Sequence, residues 1–170
     1  MNFDPRITAA FTGRRTYGRQ SDDALDAAVA RLAGSGYVNF LCGMALGFDM
    51  AAAEAVLRLR QTAAGNGIRL VAVVPFAGQP QRYPRPERQR YERIVAAADE
   101  IVCLADGYSP ECYARRNDFL VDSSSVLVAW YDGRPHGGTH YTIARARRRR
   151  LRIINLRPSE QLSLGFGDDE

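Results

Sequence analysis

The sequence contains no lysine, so all 23 of its basic residues are arginines. This absence excludes the P-loop, Schiff-base and kinase-type sites, all of which depend on a lysine amine. Arginine instead presents a flat fork of donors that suits carboxylates, phosphates and stacking on a base. With 19 acidic residues, the formal net charge is only +4. Any permanently charged clamp on a ligand must therefore be built from arginine.

Long apolar runs are also absent, because none approaches the roughly 18 residues of a membrane-spanning helix. The first residues, MNFDPRITAAF, lack the basic-then-apolar pattern of a signal peptide. Only three cysteines occur, Cys42, Cys103 and Cys112, an odd number at wide spacing that is typical of free thiols in a reducing compartment. We expect a cytoplasmic protein that makes no membrane contact.

A length of 170 residues and a hydrophobic fraction of 46% suit one domain with its own core. Short apolar runs alternate with segments of helical periodicity. They predict strands at residues 6–11, 37–41, 68–74, 100–104, 125–131 and 151–156. They predict helices at residues 22–33, 48–60, 86–98, 112–122 and 139–150. We expect the domain to cover residues 1–156, followed by a loose acidic tail over 157–170.

The central predicted strands are apolar on both faces, as in a parallel sheet covered by helices on both sides. This pattern predicts an α/β fold with a single doubly wound, mostly parallel, Rossmann-like sheet. Ligands bind such sheets at the carboxyl ends of the strands. The segments that leave those ends are residues 12–14, 43–49, 75–79 and 132–139, all rich in glycine or polar groups. We expect these four loops to converge on one ligand.

The stretch LCGMALGFDMAAAE, residues 41–54, connects a strand to a helix. Gly43 and Gly47 give the turn backbone freedom and would let a ligand approach the free N–H groups of the helix start. Asp49 in the first helical turn would repel a bare phosphate, so it suits a ribose hydroxyl or a base N–H better. The alternative is a tight turn that Asp49 merely caps.

Gly137-Gly138-Thr139 forms a second glycine turn into a helix, where backbone N–H groups and the threonine hydroxyl suit a phosphate. The alternative is an ordinary helix start capped by Thr139. His136 and His140 are four residues apart, but two glycines and the lack of a third ligand argue against a metal site, so we expect none.

Two arginine-bearing segments favour a solvent-exposed interpretation over a functional one. Arg116 and Asn117 lie on a predicted helix. We expect them on its solvent-exposed face, with ligand contact as the alternative. The arginine-rich run over residues 145–152 suggests nucleic acid, but no aromatic residue interleaves it as in a single-strand stacking platform. We therefore expect only weak, salt-dependent binding of nucleic acid.

Seven motifs in one order resemble the YpsA family, once called DUF1273, of the SLOG superfamily of Smf/DprA-like and LOG-like proteins. The resemblance runs from about Ile7 to Ile154. Its motifs are TGR at 12–14, GMALGFDMAAAE at 43–54, PFAGQ at 75–79, RN at 116–117, VD at 121–122, YDG at 131–133 and GGTHYT at 137–142. The resemblance implies a Rossmann-like domain with a nucleotide-type ligand pocket. We expect no required cofactor, and a homo-oligomer is among the assemblies that we consider. The ligand-binding residues that we predict from the motifs and the resemblance are Thr12, Gly13, Arg14, Gly43, Gly47, Asp49, Glu54, Gln79, Arg116, Asn117, Asp132, Gly137, Gly138 and Thr139.

Members of this superfamily differ in function, so the resemblance leaves three functions open: nucleotide binding or sensing, nucleotide hydrolysis and DNA binding. LOG enzymes hydrolyse nucleoside monophosphates, DprA binds single-stranded DNA, another relative carries molybdenum cofactor, and the YpsA branch is linked to cell division and stress. Thr142 stands where LOG enzymes carry their catalytic glutamate, and a threonine cannot stabilise an oxocarbenium-like centre as a carboxylate does. Asp49 or Glu54 would have to substitute in a hydrolase. We therefore expect a nucleotide-binding or sensing protein, with the hydrolase and the DNA-binding protein as alternatives.

Overall fold

A computed structural model describes residues 2–158, which form six strands and five α-helices in alternation. The strands are β1 (Thr8–Gly13), β2 (Asn39–Cys42), β3 (Arg69–Val74), β4 (Glu100–Cys103), β5 (Val126–Trp130) and β6 (Arg152–Asn155). The helices are α1 (Asp22–Gly34), α2 (Phe48–Arg60), α3 (Arg85–Ala97), α4 (Cys112–Asp122) and α5 (Gly137–Arg148). Short 3-10 turns cover Pro5–Ile7, Ala63–Gly65 and Gln79–Arg82.

All neighbouring strands pair in parallel, in the order β4-β3-β2-β1-β5-β6. The chain builds the sheet outward from β1 to β4, then returns to place β5 on the other side of β1. The point where the strand order reverses, the topological switch point, therefore lies between β1 and β5. The predicted doubly wound, Rossmann-like fold is confirmed.

Both faces of the sheet are buried, because successive strand residues point to opposite sides. On β2, Phe40 and Cys42 pack into one cluster with residues of α1, α2 and α3. Leu41, between them, packs into a second cluster with Leu120 of α4 and Ile143 of α5. Three helices therefore cover one face and two cover the other, which explains why the central strands are apolar throughout.

Helices α2 and α4 have the predicted bounds, whereas some other ends differ. Strand β1 starts two residues later than predicted, because Asp4 accepts a hydrogen bond from Arg6 N at 3.0 Å and holds the preceding residues in a 3-10 turn. Helix α5 starts at Gly137 rather than Thr139, so His136 is its N-cap residue. The predicted cap Thr139 lies inside the first turn.

Arg157, the first residue of the predicted loose tail, packs against the sheet: its guanidinium carbon lies 5.6 Å from the centre of the Trp130 ring. The rest of the predicted tail, from residue 159, lies outside the described residues. Cys42, Cys103 and Cys112 are free thiols. None of the helices described is long and apolar enough to cross a membrane.

Candidate functional site

A cavity of about 490 Å³ opens at the switch point of the sheet, and we call it the switch-point cavity. The loop after β1 forms one wall and the loop after β5, with the start of α5, forms the opposite wall. Its lining comprises residues 11–16, Ala45, Asp49, Tyr113, Arg116, Asn117, Leu120, Asp132, Arg134 and residues 136–139. The cavity lies where ligands bind open α/β sheets, and its size is that of a small-molecule site.

Ten of the fourteen predicted ligand-binding residues line this cavity: Thr12, Gly13, Arg14, Asp49, Arg116, Asn117, Asp132, Gly137, Gly138 and Thr139. Gly43, Gly47, Glu54 and Gln79 are not part of its lining. Three of the four predicted loops therefore contribute to the cavity, while the loop after β3 does not.

Arg14 is held by the protein itself. Its guanidinium donates to Asp132 Oδ1 at 3.0 Å and to the carbonyl oxygens of Arg134 and His136 at 3.0 and 2.8 Å. Burial would raise the pKa of the Asp132 carboxyl, but the hydrogen bonds from Arg134 N and Arg14 outweigh it and hold that pKa below its usual value. Arg14 therefore fixes the shape of the loop after β5. It also lines the cavity, and its contact with a ligand stays a prediction.

Arg15 is the cationic residue that the sequence analysis missed. Its side chain is exposed, lines the cavity, and makes no hydrogen bond or ion pair with any residue from 2 to 158. The doubled arginine directly after β1 was the available signal. The guanidinium N–H groups of Arg14 donate to Asp132 and to two carbonyl oxygens, so Arg15 is the arginine whose donors are free for a ligand.

Asp49 lies in the first turn of α2 and is 5% exposed. Its Oδ2 accepts a hydrogen bond from Ala45 N at 3.2 Å. Burial raises the pKa of this carboxyl to about 6, although the nearby charge of Arg116 and the Ala45 N–H oppose the shift. Asp49 thus holds the turn before α2 through the Ala45 N–H, as the alternative interpretation predicts, although it makes no capping bond within the helix. It also lines the cavity as a carboxylate that forms no salt bridge with a described residue.

Arg116 and Asn117 are buried, each 6% exposed, so the expectation of a solvated face was wrong. Arg116 donates from Nη1 to the carbonyl oxygen of Gly43 and from Nε to Asn117 Oδ1 at 2.7 Å. These bonds hold the Asn117 amide in one orientation, with Nδ2 near Gly138 at the start of α5. The sequence could not reveal this burial, because the apolar surface that covers the helix comes from distant segments.

Gly43 and Gly47 do not line the cavity, but the packing around it requires both glycines. A Cβ at Gly47 would lie 2.5 Å from the carbonyl oxygen of Arg15, and its φ of +78° disfavours other residues. A Cβ at Gly43 would lie 2.7 Å from Arg116 Nη1. Gly47 therefore lets the loops after β1 and β2 approach closely, and Gly43 leaves room for the Arg116 side chain of α4.

The start of α5 has the features of an anion site. Gly137 has a φ of +84° and is followed by Gly138 and Thr139, with no acidic residue in the first turn. The first N–H groups of a helix have no partner within the helix. Thr142 lies behind this turn, fully buried, where its hydroxyl donates to the Gly138 carbonyl oxygen at 2.8 Å. No glutamate therefore faces the cavity from this position.

Glu54 and Gln79 are engaged elsewhere. Glu54 accepts a hydrogen bond from Arg90 Nη2 of α3 at 3.1 Å, and Arg19 lies 3.8 Å away. The carboxylate thereby ties α2 to α3 on the outer side of the sheet. Gln79 lines a second cavity and donates from Nε2 to the Gly43 carbonyl oxygen at 3.3 Å.

Of the two histidines, His136 lines the cavity and His140 does not. His140 Nδ1 lies 2.7 Å from the Tyr131 hydroxyl, an arrangement in which either residue can donate. Over residues 2–158, no three histidine, cysteine, aspartate or glutamate side chains gather as metal ligands would.

A sequence model described as the YspA SLOG family, YpsA, matches residues 19–155. The chain belongs to the YpsA family. YpsA of Bacillus subtilis is 29% identical over 107 residues, which are 62% of this chain and 58% of that protein. A UPF0398 protein of Shouchella clausii is 34% identical over 104 residues, 60% of this chain and 55% of its own. The chain thus spans little more than half the length of these YpsA relatives.

Solved structures extend the likeness of this YpsA-family protein to the wider SLOG fold. DNA processing protein A from Helicobacter pylori, described with its single-stranded DNA binding mode, superposes with a TM-score of 0.62 at 19% identity. That match covers 88% of this chain and 64% of the other. The molybdenum cofactor carrier protein of Chlamydomonas reinhardtii gives a TM-score of 0.54 at 18% identity, covering 88% and 74%. At such identities the likeness concerns the fold.

Proposed function

We propose that this protein binds a nucleotide or nucleotide derivative in the switch-point cavity, with its phosphate at the start of α5. The observation that carries the proposal is the juxtaposition of that helix start with the free guanidinium of Arg15 across one cavity. The macrodipole and unpaired N–H groups of the helix favour an anion, and arginine forms charge-assisted hydrogen bonds with phosphate.

The other helix start at the sheet edge is a poorer anion site. Helix α2 carries Asp49 in its first turn, and the N–H of Phe48 already donates to the Arg14 carbonyl oxygen at 3.3 Å. Helix α5 has no acidic side chain in its first turn. This difference supports α5 as the phosphate site and α2 as the site of the sugar or base.

Asp49 and Asn117 are suited to the neutral part of the ligand. The Asp49 carboxylate is an acceptor for a ribose hydroxyl, and the Asn117 amide is held with its Nδ2 directed to the start of α5. Beyond the bond from Ala45 N, the Asp49 carboxylate has lone pairs for a further donor, so a ligand hydroxyl that donates to it gains affinity and specificity. The ligand would then span the cavity from Asp49 to Gly138.

A binding or sensing role is better supported than hydrolysis. Thr142 replaces the glutamate of LOG enzymes and is buried away from the cavity. Of the two carboxylates in the lining, Asp132 is held by Arg14 and only Asp49 is free of salt bridges with described residues. Of the two structural neighbours, one binds single-stranded DNA and the other carries molybdenum cofactor. A role in cell division or stress, which the family resemblance implies, belongs to this proposal.

Calorimetric titration with AMP, ADP and ATP tests the binding proposal. We expect binding to the unmodified chain, weakened roughly tenfold by Arg15→Ala, because a charge-assisted contact to phosphate is lost. Arg147→Ala is the matched control, since Arg147 is exposed on α5 and lines neither cavity. Absence of nucleotide binding, or an equal loss in both variants, would show that the assignment is wrong.

Hydrolysis is tested separately by measuring free adenine released from AMP. The binding proposal expects no release above the rate without protein. Release that disappears in Asp49→Asn, while AMP still binds, would favour an N-glycosidic hydrolase in which Asp49 stabilises the positive charge that develops on the sugar.

A further inference from the structure

A second cavity, of about 740 Å³, lies at the same edge of the sheet, between the loops after β3 and β4. It is lined by Arg15, Leu46, residues 76–79, residues 81–83, residues 106–108 and Tyr113, and we call it the aromatic cavity. A hydrogen bond of 3.0 Å from Ala77 N to the Ala105 carbonyl oxygen joins the two loops. The cavity is thus part of the folded sheet edge and distinct from the site described above.

Three aromatic side chains give this cavity its name. The ring centres of Phe76 and Tyr108 are 5.7 Å apart, and those of Phe76 and Tyr113 are 6.0 Å apart, both edge to face. Tyr108 is nevertheless 67% exposed, so one large aromatic surface remains uncovered. Exposed aromatic faces beside a pocket are the surfaces on which heterocyclic bases stack.

Gln79 supplies an unsatisfied polar group in the lining. It is 3% exposed and donates from Nε2 to the Gly43 carbonyl oxygen, while its Oε1 accepts no hydrogen bond from any residue in the described range. A buried acceptor without a donor is costly and calls for a partner. An amino or amide group on a heterocyclic ring would be such a donor.

The aromatic cavity adjoins the switch-point cavity, because Arg15 and Tyr113 line both. The gap between β5 and β1 is three strand spacings from the gap between β3 and β4, about 14 Å at ~4.8 Å per strand. Arg15 stands between the two with free donors. Two cavities for two ring systems, with a cation between them, match a ligand in which a pyrophosphate joins two nucleosides.

We propose that the aromatic cavity binds the second heterocyclic ring of a dinucleotide. This inference rests on the proposed function, since the first nucleotide occupies the switch-point cavity. Tyr108 stacks on the second ring and Gln79 accepts a hydrogen bond from it. Of the two phosphates of the pyrophosphate, one lies at the start of α5 and the other contacts Arg15. The preferred ligand is accordingly a dinucleotide rather than a mononucleotide.

Calorimetry with AMP and with two dinucleotides, NAD+ and diadenosine diphosphate, tests the inference. At least one dinucleotide is expected to bind ten or more times as tightly as AMP, because stacking of a base contributes on the order of tenfold or more to affinity. Tyr108→Ala should weaken that dinucleotide roughly tenfold and leave AMP unchanged. The matched control is Tyr141→Ala, which removes a partly exposed tyrosine that lines neither cavity.

The possible outcomes separate this inference from the function on which it rests. If AMP binds and both dinucleotides bind no more tightly, the second ring site is wrong while the nucleotide site stands. The same conclusion follows if Tyr108→Ala weakens AMP and the dinucleotide equally. If none of the three compounds binds, both proposals are wrong.

Discussion

Arg14 Nη2 lies 3.0 Å from Oδ1 of Asp132, across 118 residues of sequence, and this pair joins the loop after β1 to the loop after β5. The two side chains are 15% and 14% exposed. The same guanidinium also holds two carbonyl oxygens of the second loop. The switch point of the sheet is thus closed by one arginine, and the walls of the cavity are set before any ligand arrives.

Replacing that arginine should destabilise the protein. In Arg14→Ala, Asp132 loses its shorter ion pair in a largely buried site, with Arg134 left at 3.5 Å, so we expect a loss of about 1–3 kcal/mol in the free energy of unfolding. Urea unfolding followed by the fluorescence of Trp130, the single tryptophan, measures it. Nucleotide binding should weaken as well, because the loop after β5 is released. Arg6→Ala is the control: Arg6 pairs with Asp4 at the surface, and its loss should have little effect.

The raised pKa of Asp49 predicts a pH-dependent effect on stability. The folded state binds this proton with a pKa of about 6, against an ordinary value of 3.8, so the stability of the unmodified chain falls as pH rises from about 4 to 6. Above pH 6 the buried charge costs about 2–3 kcal/mol. Asp49→Asn should therefore stabilise the protein at pH 7.5 and lose that advantage near pH 4.

The matched control for this effect is Asp23→Asn. Asp23 occupies the same second helical position in α1 but is exposed. Its replacement should shift the urea midpoint equally little at both pH values. A pH-independent effect of Asp49→Asn would contradict the assignment of a charged, buried carboxylate at neutral pH.

Gly47→Ala should be strongly destabilising. The new Cβ would lie 2.5 Å from the Arg15 carbonyl oxygen, and the backbone has a φ of +78°. Gly67→Ala isolates the backbone strain, because Gly67 has a φ of +87° but no atom within 4 Å of the added Cβ. We expect a cost of about 1–2 kcal/mol at Gly67 and a clearly larger one at Gly47, measured by urea unfolding. Equal costs would mean that the loop after β1 moves aside freely.

Nucleic acid should bind weakly and without sequence preference. Arg145 is paired with Asp118 and Asp122, and Arg149 lies 3.5 Å from Asp122, so part of the basic run is neutralised by α4. Filter binding with single-stranded oligonucleotides at physiological salt should give dissociation constants of about 1 μM or weaker, rising steeply with salt. Sub-micromolar affinity that is lost when residues 147–150 are all changed to glutamine would instead favour a DprA-like function.

The sequence by itself determined the elements and their layering. Apolar residues at spacings of two or of three to four specify strands and helices locally, which is why α2 and α4 have the predicted bounds. Strands without a polar face require helices on both sides, so the parallel sheet followed as well. The glycine-rich loops at the carboxyl ends of β1, β2 and β5 were then already marked as the cavity walls.

Only the tertiary structure decided which polar side chains in those loops are available to a ligand. Arg14 and Arg15 are adjacent and chemically identical, yet Asp132 occupies the first and leaves the second free. Glu54 is likewise held by Arg90, 36 residues away in sequence. Local patterns extend over a few residues, whereas ion pairs and the burial of Arg116 depend on segments that become neighbours when the sheet forms. The identity of the free donors is therefore a property of the fold.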